Sequence, residues 1–158
     1  MRLEEFTEQD FKALYDWMCP LWEKTYGEII SRQQIVFLLE QYFSPRGIAH
    51  YRQEGYRYFR VEDGGTKGVV VFVDRGDETY LDKLYLLPEE RGKGYAAFVF
   101  DELKKRGKDV TLNVNRSNAR AVACYLKNGF QIEREEEIVL SDGMVNLDYR
   151  MRLPVCNS

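Results

Sequence analysis

The stretch Leu84–Lys108, LYLLPEERGKGYAAFVFDELKKRGK, passes from an apolar run through a proline, an arginine and two closely spaced glycines into a helical pattern. A glycine-rich turn that opens a helix presents unpaired backbone N–H groups at the positive end of the helix dipole, and no side chain blocks a close approach. A negatively charged ligand is the physical candidate for what comes so near.

Upstream, YRYFRVED, GGTKGVVVFVD and ETYLDKLYLL are rich in aromatic and β-branched residues and are divided by Asp63-Gly64-Gly65 and Arg75-Gly76-Asp77. That pattern predicts three consecutive antiparallel strands. Downstream, Gly107 stops the helix after about Arg106, DVTLNVN reads as a strand, and a helix from about Asn118 to Lys127 ends at Asn128-Gly129. A last hairpin, FQIEREEEIVL and MVNLDYRMRL, turns at Ser141-Asp142-Gly143. At the start, RLEEF is a short strand, and Thr7 with Asp10 forms an imperfect capping box for a helix carrying Phe11, Leu14, Tyr15 and Met18, which Pro20 ends or kinks. Ser31 with Gln34 caps a second helix, and Tyr42, Phe43 and SPRG suggest a mobile aromatic excursion before the sheet. The order is β-α-α-β-β-β-α-β-α-β-β, an α+β fold around one mixed, twisted sheet in a single domain spanning residues 1–158.

A length of 158 residues suits one core and one active site. With 44% hydrophobic residues, 11 Tyr and 9 Phe, the chain has the apolar surface to fold and to line a pocket. The net charge of −3 argues against bulk binding to nucleic acid, and the basic run Lys104, Lys105, Arg106 and Lys108 reads as a dipole-matched helix end. Cys19, Cys124 and Cys156 form no CxxC pair and His50 is the single histidine, so no metal site, disulfide framework or histidine triad is expected. No apolar run approaches membrane-spanning length and the charged N-terminus resembles no signal peptide, which makes the cytoplasm the expected location, with no membrane partner.

Three readings of the turn compete. Gly92-x-Gly94-x-x-Ala97 matches a dinucleotide fingerprint formally, but the region about 20 residues on, TLNVNRSN, lacks the acidic residue that would bind ribose, and the turn follows antiparallel strands rather than opening a βαβ unit. A Walker-type loop fails because Lys93 is followed by Gly94. A purely structural turn leaves Arg91 and Lys93 without a role. The third reading rests on Arg91-Gly92-Lys93-Gly94-Tyr95-Ala96, which resembles the Arg/Gln-x-x-Gly-x-Gly/Ala pyrophosphate turn of the GCN5-related N-acetyltransferase superfamily. A second segment, NARAVACYLKNGF, matches the same superfamily's Asn-x-x-Ala-x-x-x-Tyr and Gly-Phe pattern with Asn118, Ala121, Tyr125, Gly129 and Phe130. The likeness covers Tyr56 to Leu153, and WEKTYGEII is similar to small bacterial members that act on free amines.

The resemblance implies transfer of the acetyl group of acetyl-CoA to a primary amine of a small molecule, or of a peptide or protein, in a monomer or homodimer. It implies a sheet splayed at its centre, with the pyrophosphate on Arg91, Gly92, Lys93, Gly94, Tyr95 and Ala96. The pantetheine arm would lie along Leu84 and Leu86, the Leu86 N–H would polarise the thioester oxygen, and Asn118 and Ala121 would stand beside the arm. Tyr125 would serve as general acid toward the leaving thiolate. For the general base, Glu78, Tyr80, Asp82 and Leu84 alternate onto one strand face. Asp82 is the first candidate and Glu78 the reserve; the glutamate of histone-type members would align with Tyr80. A catalytically silent acyl-CoA sensor and a dinucleotide-binding oxidoreductase are the alternatives.

Overall fold

The computed structural model describes residues 1–139 and 143–155. The period-two segments become β1 (Arg2–Glu5), β2 (Arg57–Glu62), β3 (Thr66–Arg75), β4 (Glu78–Leu86), β5 (Asp109–Asn115), β6 (Gln131–Val139) and β7 (Val145–Leu153). The helices are α1 (Phe11–Tyr26), α2 (Arg32–Phe43), α3 (Pro45–Gln53), α4 (Tyr95–Lys104) and α5 (Ala119–Lys127). The strands join in one sheet of order β1-β2-β3-β4-β5-β7-β6, antiparallel except for the β4–β5 pair. This is the α+β, mixed-sheet architecture expected from the sequence. Ser141, Asp142 and Cys156 lie outside the described residues.

Three local expectations change. The SPRG segment is not an irregular excursion: the Ser44 hydroxyl accepts the Gly47 N–H at 3.0 Å, and Pro45, with no N–H to leave unpaired, opens α3. Pro20 does not end α1, because it lies on the exposed face, where water can satisfy the carbonyl it leaves without a donor. The glycine turn does open a βαβ unit, since β4 and β5 pair in parallel across α4, from Glu78↔Asp109 to Tyr80↔Thr111. A dinucleotide fold still lacks its ribose-binding acid, for β5 ends on Asn115.

The alternation of β3 divides the core. Val69 and Val71 pack toward Met18, Trp22 and Phe43 of α1 and α2, whereas Val70 and Phe72 pack toward Val99, Phe100 and Leu103 of α4. Each fully buried Leu or Phe contributes roughly 1.5–3 kcal/mol. Both faces of the sheet are thereby covered, and the β4–β5 seam lies between the two helical layers.

On that seam β4 departs from regularity. Phe72 pairs with Leu81 and Val71 with Lys83, so Asp82 is an extra residue bulged out of the ladder. A bulge bends its strand and increases the local twist. Pairing with β5 has already stopped at Tyr80, and beyond the bulge the two parallel strands splay apart. The bulge also overturns the expected alternation: Leu84 and Leu86 pack into the α4 core with Leu81, and do not share the face of Glu78 and Tyr80.

Candidate active site

The splay leaves backbone polar groups of β4 without a strand partner. Leu87 N–H donates to Lys67 O on β3 at 3.0 Å. Amides alternate sides along a strand, so those of Leu86 and Leu84 turn away from β3 toward the gap beside β5. An extended ligand can pair there as a further strand would.

The glycine turn lies at the end of the same strand. Gly92 and Gly94 have φ of 78° and 89°, left-handed values that a side chain resists, and Gly94 is the residue that caps α4. A Cβ on either would meet no protein atom within 4 Å. Their lack of side chains is therefore not demanded by packing, and it leaves open space at a helix N-terminus, where N–H groups favour an anion. Lys93 is held by Glu90 at 3.0 Å, which also binds Lys67 at 3.3 Å. Tyr95 offers the turn only its backbone, for the residue is 6% exposed in the core and its hydroxyl donates to Asp63 at 2.9 Å. Ala96, half-buried against the same core, keeps the first turn of α4 narrow.

Arg91 reveals a residue that motif spacing did not single out. Burial lowers its pKa first, and the positive charge of Arg120 lowers it further. Neither guanidinium has an ion-pair partner among the described residues. Two neighbouring cations without a carboxylate suit a phosphate-bearing ligand. Arg120 lies between Asn118 and Ala121 at a position the motif leaves unspecified, so only the fold brings it to the turn.

On α5, Asn118 caps the helix by accepting the Ala121 N–H at 3.2 Å, which leaves its side-chain NH2 available. Tyr125 packs its ring against Phe100 and Phe130, with centroids 5.9 and 5.5 Å away. Its hydroxyl has no hydrogen-bond partner among the described residues. Burial pushes the phenol up to about 12, so it is protonated and able to donate at neutral pH.

The opposite side of the seam carries the base candidates. Glu78 is fully engaged: it accepts from the Thr111 hydroxyl and pairs with Arg150 at 2.5 Å. Burial would raise its pKa, but these bonds outweigh burial and hold it low. Tyr80 donates to Asn113 at 3.2 Å, and burial first, then the charge of Asp82, raises it to about 12, so neither residue is poised as a base. Asp82 binds Lys83 at 2.6 Å, whose ammonium lies 4.0 Å from the centroid of the Tyr42 ring. His50 pairs instead with Glu54 at 3.4 Å on α3. The basic helix end is paired in part, Lys105 with Glu102 at 2.8 Å and Arg106 with Asp74 at 2.5 Å, which Lys108 shares at 3.5 Å.

The segment from Phe11 to Phe130 matches the description "Acetyltransferase (GNAT) family". An uncharacterized N-acetyltransferase of Mycobacterium tuberculosis is 39% identical over 77 residues, 44% of this chain and 49% of that protein. A peptidyl-lysine N-acetyltransferase of Salmonella typhimurium is 30% identical over 59 residues, 37% and 41% of the two chains. The chain thus spans about half the length of the curated relatives it matches. Among solved structures, the PaiA N-acetyltransferase of Thermoplasma acidophilum in complex with coenzyme A superposes with a TM-score of 0.70 at 21% identity, over 97% of this chain and 98% of that one. A dodecameric spermidine N-acetyltransferase of Vibrio cholerae gives 0.64 at 20% identity, over 98% and 93%. No described helix is long and apolar enough to cross a membrane. With a family match covering most of the chain and a fold shared with these enzymes, the protein belongs to the GNAT acetyltransferase family.

Proposed function

We propose that this protein transfers the acetyl group of acetyl-CoA to a primary amine. The observation that carries the reading is the β4 edge at Leu84 and Leu86, beyond its pairing with β5 and continuous with an open glycine turn, with Tyr125, whose hydroxyl has no partner among the described residues, packed on the same core. The residues fit the co-substrate in kind. The amides from Gly92 to Ala96, with Arg91, Arg120 and Lys93, hold phosphate charge; Leu84 and Leu86 pair with an amide-bearing arm; Asn118 donates to it, and Ala121 leaves it room. When bound, acetyl-CoA supplies an acetyl group activated as a thioester.

The chain's own groups then divide the proton work. The Leu86 N–H stabilises the negative charge that develops on the carbonyl oxygen. Asp82, directly or through water, takes the proton from the incoming amine, and Tyr125 donates its phenolic proton to the departing sulfur. Glu78, the reserve base, is assigned to structure because it has two partners, Arg150 and Thr111, where Asp82 has Lys83 alone among the described residues.

The decisive experiment measures thiol release from acetyl-CoA with a panel of primary amines, beside thermal shifts with acetyl-CoA, CoA, NAD and NADP. Stabilisation by acetyl-CoA and amine-dependent thiol release are expected. Stabilisation by acetyl-CoA without release for any amine would make the chain an acyl-CoA sensor, and a response to NAD alone would reject the assignment.

A further inference from the structure

On the side of the seam facing α1, two tyrosines from distant parts of the chain meet. Tyr26, the last residue of α1, and Tyr85, between Leu84 and Leu86 on β4, approach hydroxyl to hydroxyl at 3.3 Å. That is long for an O–H···O contact, whose usual length is about 2.7–2.8 Å. Apart from each other, the two oxygens have no hydrogen-bond partner among the described residues. A hydroxyl has one donor and two acceptor positions, so the pair keeps several acceptor lone pairs unused.

The pair is held by packing rather than by polar bonds. Trp22 stands 4.9 Å from the Tyr26 ring and 5.9 Å from the Tyr85 ring, and Phe43 lies 6.3 Å from Tyr85. The location is that of the chemistry assigned above. Burial first, then Tyr26, Asp82 and Tyr125 raise the Tyr85 pKa well above that of a free phenol. The hydroxyl therefore stays neutral: it can accept a hydrogen bond but will not serve as a base.

We propose that the Tyr26–Tyr85 hydroxyl pair holds the nitrogen of the acceptor, receiving one N–H on each oxygen, and thereby selects primary over secondary amines. This rests on the acetyl-transfer reading of the same site. A neutral primary amine carries two N–H groups and one lone pair. Two oxygen acceptors take both hydrogens at about 2.9 Å each and leave the lone pair to attack the carbonyl; as the amide forms, one of the two hydrogens departs as a proton to Asp82 through water. A secondary amine has one N–H and leaves one oxygen unmatched among the rings of Trp22 and Phe43, where its desolvation is not repaid. Opening the long direct contact to admit the nitrogen sacrifices little. Tyr26 and Tyr85 are thus acceptor-positioning residues, supplied by two elements that the sequence separates by 59 positions.

The test compares putrescine and a lysine peptide with their N-methylated counterparts, reading kcat/KM for the amine and KM for acetyl-CoA. Wild-type protein should prefer the primary amines. Tyr26→Phe and Tyr85→Phe should each lower primary-amine kcat/KM about tenfold, the effect of one lost hydrogen bond. Each should also shrink the primary-to-N-methyl preference toward unity, with acetyl-CoA KM unchanged. The double variant should lose less than the product of the single losses, because the oxygens act as a unit. An unchanged preference in both variants, or a parallel loss of acetyl-CoA affinity and thermal stability, would overturn the proposal while leaving acetyl transfer standing. A wild-type protein that acetylates none of these amines would fail the functional reading itself.

Discussion

The two sides of the β4–β5 seam are built from different materials. The gap itself and the side toward α4 and α5 present backbone: the Leu84 and Leu86 amides, the glycine turn and a helix N-terminus, with Arg91 and Arg120 added. The side toward α1 and α2 presents side chains: Tyr26, Tyr42 and Tyr85, the Asp82–Lys83 pair and the Trp22 packing beneath. A backbone surface can serve any chain that adopts the same turn, so it suits a ligand common to a family. A side-chain surface changes with each substitution, so it suits the partner that differs between members. Changes on the first side should therefore alter use of acetyl-CoA, and changes on the second should alter use of the amine.

Tyr125, standing at the junction, should show the largest effect. Tyr125→Phe keeps the ring packing against Phe100 and Phe130 and removes the hydroxyl, and kcat should fall roughly 10²-fold with acetyl-CoA affinity preserved. Because burial holds the phenol at about 12, the acid form persists as pH rises, and wild-type kcat should show no alkaline limb below about pH 10. Equal kcat in the variant would return Tyr125 to the core.

The next prediction isolates the backbone side. Gly94→Val places a branched side chain at a φ of 89° and in open space above the turn. Acetyl-CoA KM should rise about tenfold or more, through roughly 1–3 kcal/mol of strain and the blocked approach, while amine KM stays put. Unchanged acetyl-CoA KM in the folded variant would break the distinction between the two sides.

Asp82→Asn probes the side-chain surface. Amine kcat/KM should drop about tenfold at neutral pH, with acetyl-CoA KM unaffected. An unchanged amine kcat/KM would remove Asp82 and leave water as the proton acceptor.

Glu78→Gln should have the smallest effect on activity and a measurable one on stability. The folded-state pKa of Glu78 is lowered, so its stabilisation is present above the ordinary carboxylate range and is lost as pH falls through the folded value. Denaturation at neutral pH should show a deficit of about 1 kcal/mol, discounted for partial exposure of the pair, and the deficit should shrink in strong acid. A deficit that grows toward acid would contradict the Arg150–Glu78 assignment.

The same contrast explains what could be read before folding. Gly92 and Gly94 are legible because a positive φ in a turn that opens a helix narrows the choice of residue, and Asn118, Ala121 and Tyr125 because a helix repeats its face at a regular spacing. The alternation of β3 and the caps at Ser31 and Asn118 follow from equally local rules. The role of Pro20 was not local, because its effect depends on whether the unpaired carbonyl reaches water. Nor was the face of Leu84, because one bulged residue at Asp82 inverts every side chain beyond it.

The sequence by itself determined the backbone half of the proposed site: the strand, the glycine turn, the two helices that follow, and the sign of charge that a helix-opening turn favours. Tertiary structure alone decided that Arg120 stands beside Arg91, that Arg150 removes Glu78 from the list of bases, and that Tyr26 meets Tyr85. The physical reason is range. Dihedral preference, capping and periodicity act within a few residues and leave a trace in spacing, whereas a side-chain pair joined across the sheet is set by register, bulge and packing, which no short window of the chain contains.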